Sequence, residues 1–289
     1  MALVWALTRA GDAGWASAEV LGGLVGGSLL IAAFIWWEGR TTEPMVPLRL
    51  FSSREFALGN VASFLLNGAT FPAAVFITQE FQLARGYSPI GAGLRLLPFF
   101  ATPMVISAPA GALSDRIGRR PIMVTGLALE ALGFVWVAAR GSLATSWIEL
   151  DAALLVAAVG ISMALPTVPT AVLSSVDPDE MGKASGINWM AQRFGTVFAL
   201  AVVGAVFSAN GHLGSPADVT AGFQAALWTC AAFAVLAALA ACGIGASRTA
   251  TLAPIEAARP TAGPLTPTTG ASTSPTAVAA GRPRLSSRG

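Results

Sequence analysis

Gly111-Ala-Leu-Ser-Asp115-Arg116-Ile-Gly118-Arg119-Arg120-Pro121 is the densest charge cluster in a chain that carries very little charge. About twenty residues almost free of charge precede it, and nineteen residues with a single acid follow. A charged loop this short, at about 113–120 between two long apolar runs, makes the flanking helices antiparallel neighbours. Gly118 permits a tight turn, Gly111 allows close helix approach, and Pro121 suits the first position of the following helix, where its missing N–H would be an orphan anyway. Asp115 stands among Arg116, Arg119 and Arg120, so a charge-assisted hydrogen bond is within reach.

Composition says which rules govern the remainder. Hydrophobic residues make up 54% of the 289 and charged residues 11%, with a mean hydropathy of +0.67. An ordinary soluble domain carries roughly 25% charged residues, so this is an all-α membrane chain built from spanning helices. A net charge of +2, scattered among apolar runs, forms no basic stripe and excludes nucleic-acid binding. Cys230 and Cys242 are twelve residues apart in one apolar run. On a helix that is roughly 18 Å of rise, beyond disulfide reach, which leaves them apolar packing. One histidine, no metal-ligand spacing of cysteines and no glycine-rich phosphate loop exclude an enzyme constellation.

Residues 1–8 are apolar but too short to span, and read as the stump of a helix; no basic n-region or signal-peptide cleavage site accompanies them. Residues 18–37 form the first full span, with Trp36 and Trp37 as an interfacial anchor. A charged, proline-containing linker at 38–56 follows, in which Pro47-Leu-Arg-Leu-Phe51 can lie along the membrane surface. Six further runs at 57–78, 91–112, 121–139, 150–173, 186–208 and 222–245 approach or reach spanning length, so 57–246 is a six-helix bundle. From 247 to 289 the chain turns to Pro, Thr, Ala, Ser and Gly and reads as a disordered tail.

Basic residues in the short loops set the orientation. Placing 38–56 on the cytoplasmic side also places Arg40, Arg49, Arg54, Arg116, Arg119, Arg120, Lys183 and the C-terminal tail there, and leaves Arg9, Arg85 and Arg140 outside. Arg95 and Arg193 fall near span ends, where each can snorkel.

Gly-x-Leu-Ser-Asp-Arg-x-Gly-Arg-Arg from Gly111 to Arg120 resembles the signature loop of the major facilitator superfamily. Glu38-x-Arg40 with Pro47-Leu-Arg-Leu-Phe51, Gly86-Tyr-Ser-Pro89 with Ala92-Gly93 and Leu97-Pro98, and Gly182-x-Ala-Ser-Gly186 with Gln192 narrow the resemblance to the fourteen-helix drug:proton antiporter branch. It covers residues 1 to 246 and implies a multi-pass protein of the cell membrane that exports amphipathic small molecules, antibiotics included, using the proton gradient and no cofactor. In that branch two additional helices join two six-helix halves. The resemblance here extends to the second additional helix and the C-terminal half. It therefore implies either a transporter half that works with a separate N-terminal six-helix partner or a membrane remnant that no longer transports. Gly111, Asp115, Arg116, Gly118, Arg119 and Arg120 are either a solvated positive-inside anchor or an interhelix latch that biases inward- and outward-open states.

Polar residues within spans are costly in hydrocarbon and face protein or water. Asn60, Ser63, Asn67 and Thr70 recur at helical spacing on one face. Gly91, Arg95, Pro98 and Thr102 form a second such face, and Ser185, Asn188, Gln192 and Gly195 a third. The resemblance puts these three runs among the cavity-lining helices; polar glue between helices is the other reading. Glu130 is the one acid well inside a run, with Gly126 and Gly133 a turn away on either side, so it faces a close helix contact. Proton coupling and a structural role are both open to it, and the family's placement of this helix at the bundle's edge favours the second. Pro166 and Pro169 kink their helix or hinge it. Asp177, Asp179, Glu180 and Lys183 form a solvated loop, and His212 is a lone histidine in an external one.

Overall fold

The computed structural model describes residues 5–6, 17–41, 44–211 and 214–245. Most of the expected stump at 1–8, His212 and the whole of the tail from 247 lie outside the described residues. Among the described residues, seven helices are long and apolar enough to cross a membrane: α1 Ala18–Glu38, α2 Arg54–Gln79, α3 Pro89–Ile117, α4 Arg119–Arg140, α5 Trp147–Leu173, α6 Met181–Asn210 and α7 Pro216–Cys242. Short 3-10 turns occupy Leu48–Ser52 and Pro178–Glu180, and a π turn, Glu80–Ala84, extends α2. No strand occurs among the described residues.

Serine marks where five of these helices start. The hydroxyls of Ser17, Ser53, Ser88, Ser146 and Ser215 accept from the backbone N–H three residues on. A helix start leaves several N–H groups unpartnered, and the hydrocarbon core offers no water to answer them. A serine at the N-cap satisfies one. Pro166 and Pro169 lie within α5, which continues through both as one helix.

The packing of α2 to α7 has an internal symmetry. α2 lies against α6 and α7 as α5 lies against α3 and α4, while α2 meets α5 and α4 meets α7; the sequential pairs α2–α3 and α5–α6 touch only slightly. Advancing every helix by three positions reproduces this pattern. Spanning helices three apart run in opposite directions, so α2–α4 and α5–α7 are inverted-topology repeats about an axis in the membrane plane. The most extensive contact is α4 on α5. A Cβ at Gly160 would lie 2.4 Å from Glu130 N, one at Gly133 2.5 Å from Ala157 N, and one at Gly126 2.8 Å from Gly160 O. Glycine lets the two backbones meet, the close approach on which helix association in lipid depends.

α2, α4 and α5 are the most buried spans, α3 and α6 much less so, and α1 least. α1 has scarcely any contact with the bundle, and Leu29, Leu30, Trp36 and Trp37 are exposed, as an apolar helix surrounded by lipid tails requires. The linker after it is held down. Leu50 of the 3-10 turn packs with Phe56, Val172, Ala184 and Ile187, Arg49 pairs with Glu180 at 2.5 Å, and Lys183 Nζ donates to Pro44 O at 3.1 Å.

Candidate functional site

The Gly111–Pro121 stretch is mostly helix. α3 runs unbroken through Gly111 and Asp115 to Ile117 and α4 begins at Arg119, so Gly118 alone is the joint. Its φ of 94° and ψ of 154° belong to a region essentially restricted to glycine. A Cβ there would meet Pro121 Cδ at an ordinary 3.9 Å, so the backbone angle, and not space, demands glycine.

Three details of this stretch differ from the reading of the sequence. Nothing lies within 4 Å of where a Gly111 Cβ would be, because α3 meets α4 only lightly and this turn of α3 has no close neighbour. Pro121 is the third residue of α4 and not the first, still within the turn whose N–H groups have no helical partner. Asp115 is exposed and makes no ion pair or hydrogen bond with Arg116, Arg119 or Arg120 among the described residues. Asp115 and Arg116 are adjacent on a helix and point apart, while the other two arginines belong to the next helix. Arg120 turns instead to α7, where its Nη2 donates to the carbonyl of Cys242, the last residue of that helix, at 2.6 Å. A guanidinium there answers an orphan carbonyl and the negative end of the helix dipole.

Asn60, Ser63, Asn67 and Thr70 share a face of α2, and all but Thr70 are buried. α6 brings Asn188 against them. Its Nδ2 donates to Asn60 Oδ1 at 3.2 Å and to Ser63 Oγ at 2.7 Å, while its Oδ1 accepts from Gln192 Nε2 at 2.6 Å. The Asn60 and Asn67 amides each return a hydrogen bond to a carbonyl one turn back, Phe56 O and Ser63 O, both at 2.9 Å. The helices can come this close because Gly195 lies against Phe64; a Cβ there would be 2.2 Å from Phe64 O. Asn60, Ser63, Asn188 and Gln192 are spent on one another, and Gln192 and Thr70 are half-buried. Phe64, Phe194 and Phe198 pack beside them with ring centroids 5.7 to 6.0 Å apart.

Arg95 does not join this group. It sits near the opposite end of the bundle, stacked 4.0 Å from the Tyr87 ring centroid and 5.5 Å from that of Trp147, with Nη1 donating to Gly91 O at 3.0 Å. Glu130, in the middle of α4, is fully buried. Thr70 Oγ1 lies 2.7 Å from its Oε1, and Oε2 has no partner. Gly126 and Gly133 face α5 on either side of it, as their spacing suggests.

Glu80 is a buried acid that sequence reasoning passed over. It opens the π turn, 1% exposed, with Oε1 3.1 Å from Thr220 Oγ1 and 3.8 Å from Arg85 Nε. Arg85 in turn donates to the carbonyls of Thr145 and Ser142, each at 2.8 Å, tying the end of α2 to the α4–α5 connection. The drop in hydropathy at Gln79-Glu80 ends the apolar run at 78 and hides the acid; the opposite charge five residues later, at Arg85, is the signal that pairs it. π turns concentrate where a helix is interrupted for a purpose.

The sequence model described as Major Facilitator Superfamily matches residues 56–284. The chain belongs to this superfamily. Superfamily members are membrane transporters and not enzymes, and the matched residues begin with α2 and take in the whole inverted-repeat bundle. Among curated relatives, the chain is 29% identical to the multidrug resistance protein Stp of Mycobacterium tuberculosis over 72% of its own length and 38% of that protein's. It is 33% identical to the cephamycin export protein CmcT of Amycolatopsis lactamdurans, over 75% of this chain and 45% of the relative. It is 30% identical to the multidrug efflux pump LfrA of Mycolicibacterium smegmatis, over 76% and 43% respectively. The chain thus spans less than half the length of these relatives.

Proposed function

We propose that this superfamily bundle is the C-terminal half of a proton-driven exporter of amphipathic small molecules, working with an N-terminal six-helix half as its partner. The observation that carries the reading is the uncovered side of α3 and α6, which hold equivalent places in the two repeats. Phe100, Met104, Trp189 and Phe194 are exposed there, and Gln192 supplies a hydrogen-bonding group beside them. An apolar wall with few polar groups is what an amphipathic ligand needs, and the relatives' roles in multidrug and cephamycin export agree with it. Arg95 would act at the far end of this wall. Asn60, Ser63, Asn67, Thr70 and Asn188 would reach a substrate once α2 and α6 part.

The basic residues of the linker and of the α3–α4 joint support a cytoplasmic position for that end and for the C-terminus, in a plasma membrane. There Gly111, Asp115, Arg116, Gly118, Arg119 and Arg120 act as a latch, Asp115 being free to pair with the other half. Expressed with a six-helix N-terminal half, the chain should lower accumulation of a lipophilic cationic dye, and collapsing the pH gradient should cancel the effect. Asp115→Asn should abolish it; unchanged efflux in that variant would remove the latch assignment. The chain alone should match an empty vector.

A further inference from the structure

The hydrogen count around Thr70 is one short. Its Oγ1 lies 2.9 Å from Leu66 O and 2.7 Å from Glu130 Oε1, yet a threonine hydroxyl has one hydrogen to donate. If it serves Leu66 O, the short contact to Glu130 needs a hydrogen from the carboxyl. If it serves Glu130, Leu66 O loses its side-chain donor. Glu130 is fully buried, and its Oε2 has no partner.

We propose that Glu130 is a proton-binding site read out by Thr70. With the proton bound, Glu130 donates from Oε1 to Thr70 Oγ1, and Thr70 donates to Leu66 O, which makes a continuous chain from α4 into the backbone of α2. When the proton leaves, the Thr70 hydroxyl turns to the carboxylate and Leu66 O gives up its side-chain donor. One proton is taken up or released, and no covalent bond other than the carboxyl O–H changes. The site needs no guanidinium or ammonium, and the surroundings bring none. On α2 the polar neighbour is Thr70 itself, the charged groups being Arg54 and Glu55 at one end and Glu80 at the other. α5 presents the Gly160 backbone, and its acids Asp151 and Glu149 lie nine and eleven residues from Gly160, about two and a half turns or more away. α7 presents Cys230, near enough to interact with Glu130 electrostatically. α3 touches α4 little, and its Arg95 is engaged with Gly91 O, Tyr87 and Trp147. Thr70 also continues the polar face formed by Asn67, Ser63 and Asn60, so the proton's presence acts on the helix whose other polar residues hold α6. This deepens the proton-driven reading, but its test does not require transport.

The full chain in lipid nanodiscs, studied by infrared difference spectroscopy, gives a direct readout, because a protonated carboxyl has its own C=O stretch. At neutral pH, wild type minus Glu130→Gln should show one protonated-carboxyl band. Thr70→Val, which keeps the shape and removes the hydroxyl, should move that band to higher frequency, and Thr70→Ser should leave it in place. A null difference between wild type and Glu130→Gln would overturn the site. A band unmoved in Thr70→Val would overturn the readout. Should Glu130→Gln fail to assemble, the two Thr70 variants with Glu130 intact decide the question by the same shift. Loss of dye efflux with the band intact would count against the transport reading and leave the proton site standing.

Discussion

At the scale of single residues, glycines of one helix type have opposite meanings. A side chain at Gly160 would enter the backbone of α4, 2.4 Å from Glu130 N, and neither partner is a flexible side-chain tip that could yield. Gly160→Ala should therefore lower the thermal midpoint of the detergent-solubilised protein by the equivalent of about 1–3 kcal/mol of overpacking, or more. Gly111→Ala, with nothing near its Cβ, should be neutral to stabilising by up to about 1 kcal/mol from helix propensity. The same measurement on both variants separates a packing glycine from a permissive one. Asn188 makes a comparable contrast among polar residues. Asn188→Leu should cost about 0.6–2 kcal/mol, the range for interhelical hydrogen bonds in membranes, and adding Asn60→Leu should cost less than the sum of the two, because both remove one shared bond. Strict additivity in that double-mutant cycle would refute the bond.

At the scale of elements, Gly118 carries the turn from α3 to α4 by itself. Gly118→Ala puts a Cβ on a backbone angle that ordinary residues reach only at a cost of about 1–3 kcal/mol, so the two helices should separate in melting or proteolysis before the rest of the bundle. The turn was legible because a lone glycine between a charged run and a proline is a strong punctuation mark. That Gly111 to Ile117 continue α3 was less so: charge density suggests a loop, but nothing there breaks a helix until Gly118. The α2 face of Asn60, Ser63, Asn67 and Thr70 followed from period alone, whereas their partner, Asn188, is 128 residues from Asn60, and no local pattern announces a contact at that separation. Gly126, Glu130 and Gly133 declared a close contact but not its identity; only packing shows that α5 supplies it. Glu80 stayed hidden because a hydropathy run stops where polarity begins, although the helix itself proceeds one π turn further.

At the scale of the whole molecule, the six-helix bundle is a repeat folded against its inverted copy, with α1 beside it. α1 owes its place to lipid and to the linker pinned by Arg49 and Lys183, not to bundle contacts. A chain beginning at Pro44, which keeps that linker, should melt within about 1 kcal/mol of the full chain, consistent with the small effect of removing surface that makes no special contact; a large loss would mean that α1 seats on the bundle after all. Reading the symmetry from sequence was not possible, since the two repeats are related by where helices pack and not by matching residues.

The one-residue joint at Gly118 also bears on how the protein is made. With no loop to wait in water, α3 has nowhere to leave its last turn until α4 follows, and the two should enter the bilayer together as a hairpin during synthesis. In the orientation proposed above, Asp115, Arg116, Arg119 and Arg120 would mark the bend that stays behind on the ribosome's side, and insertion order and orientation would then be set in a single event.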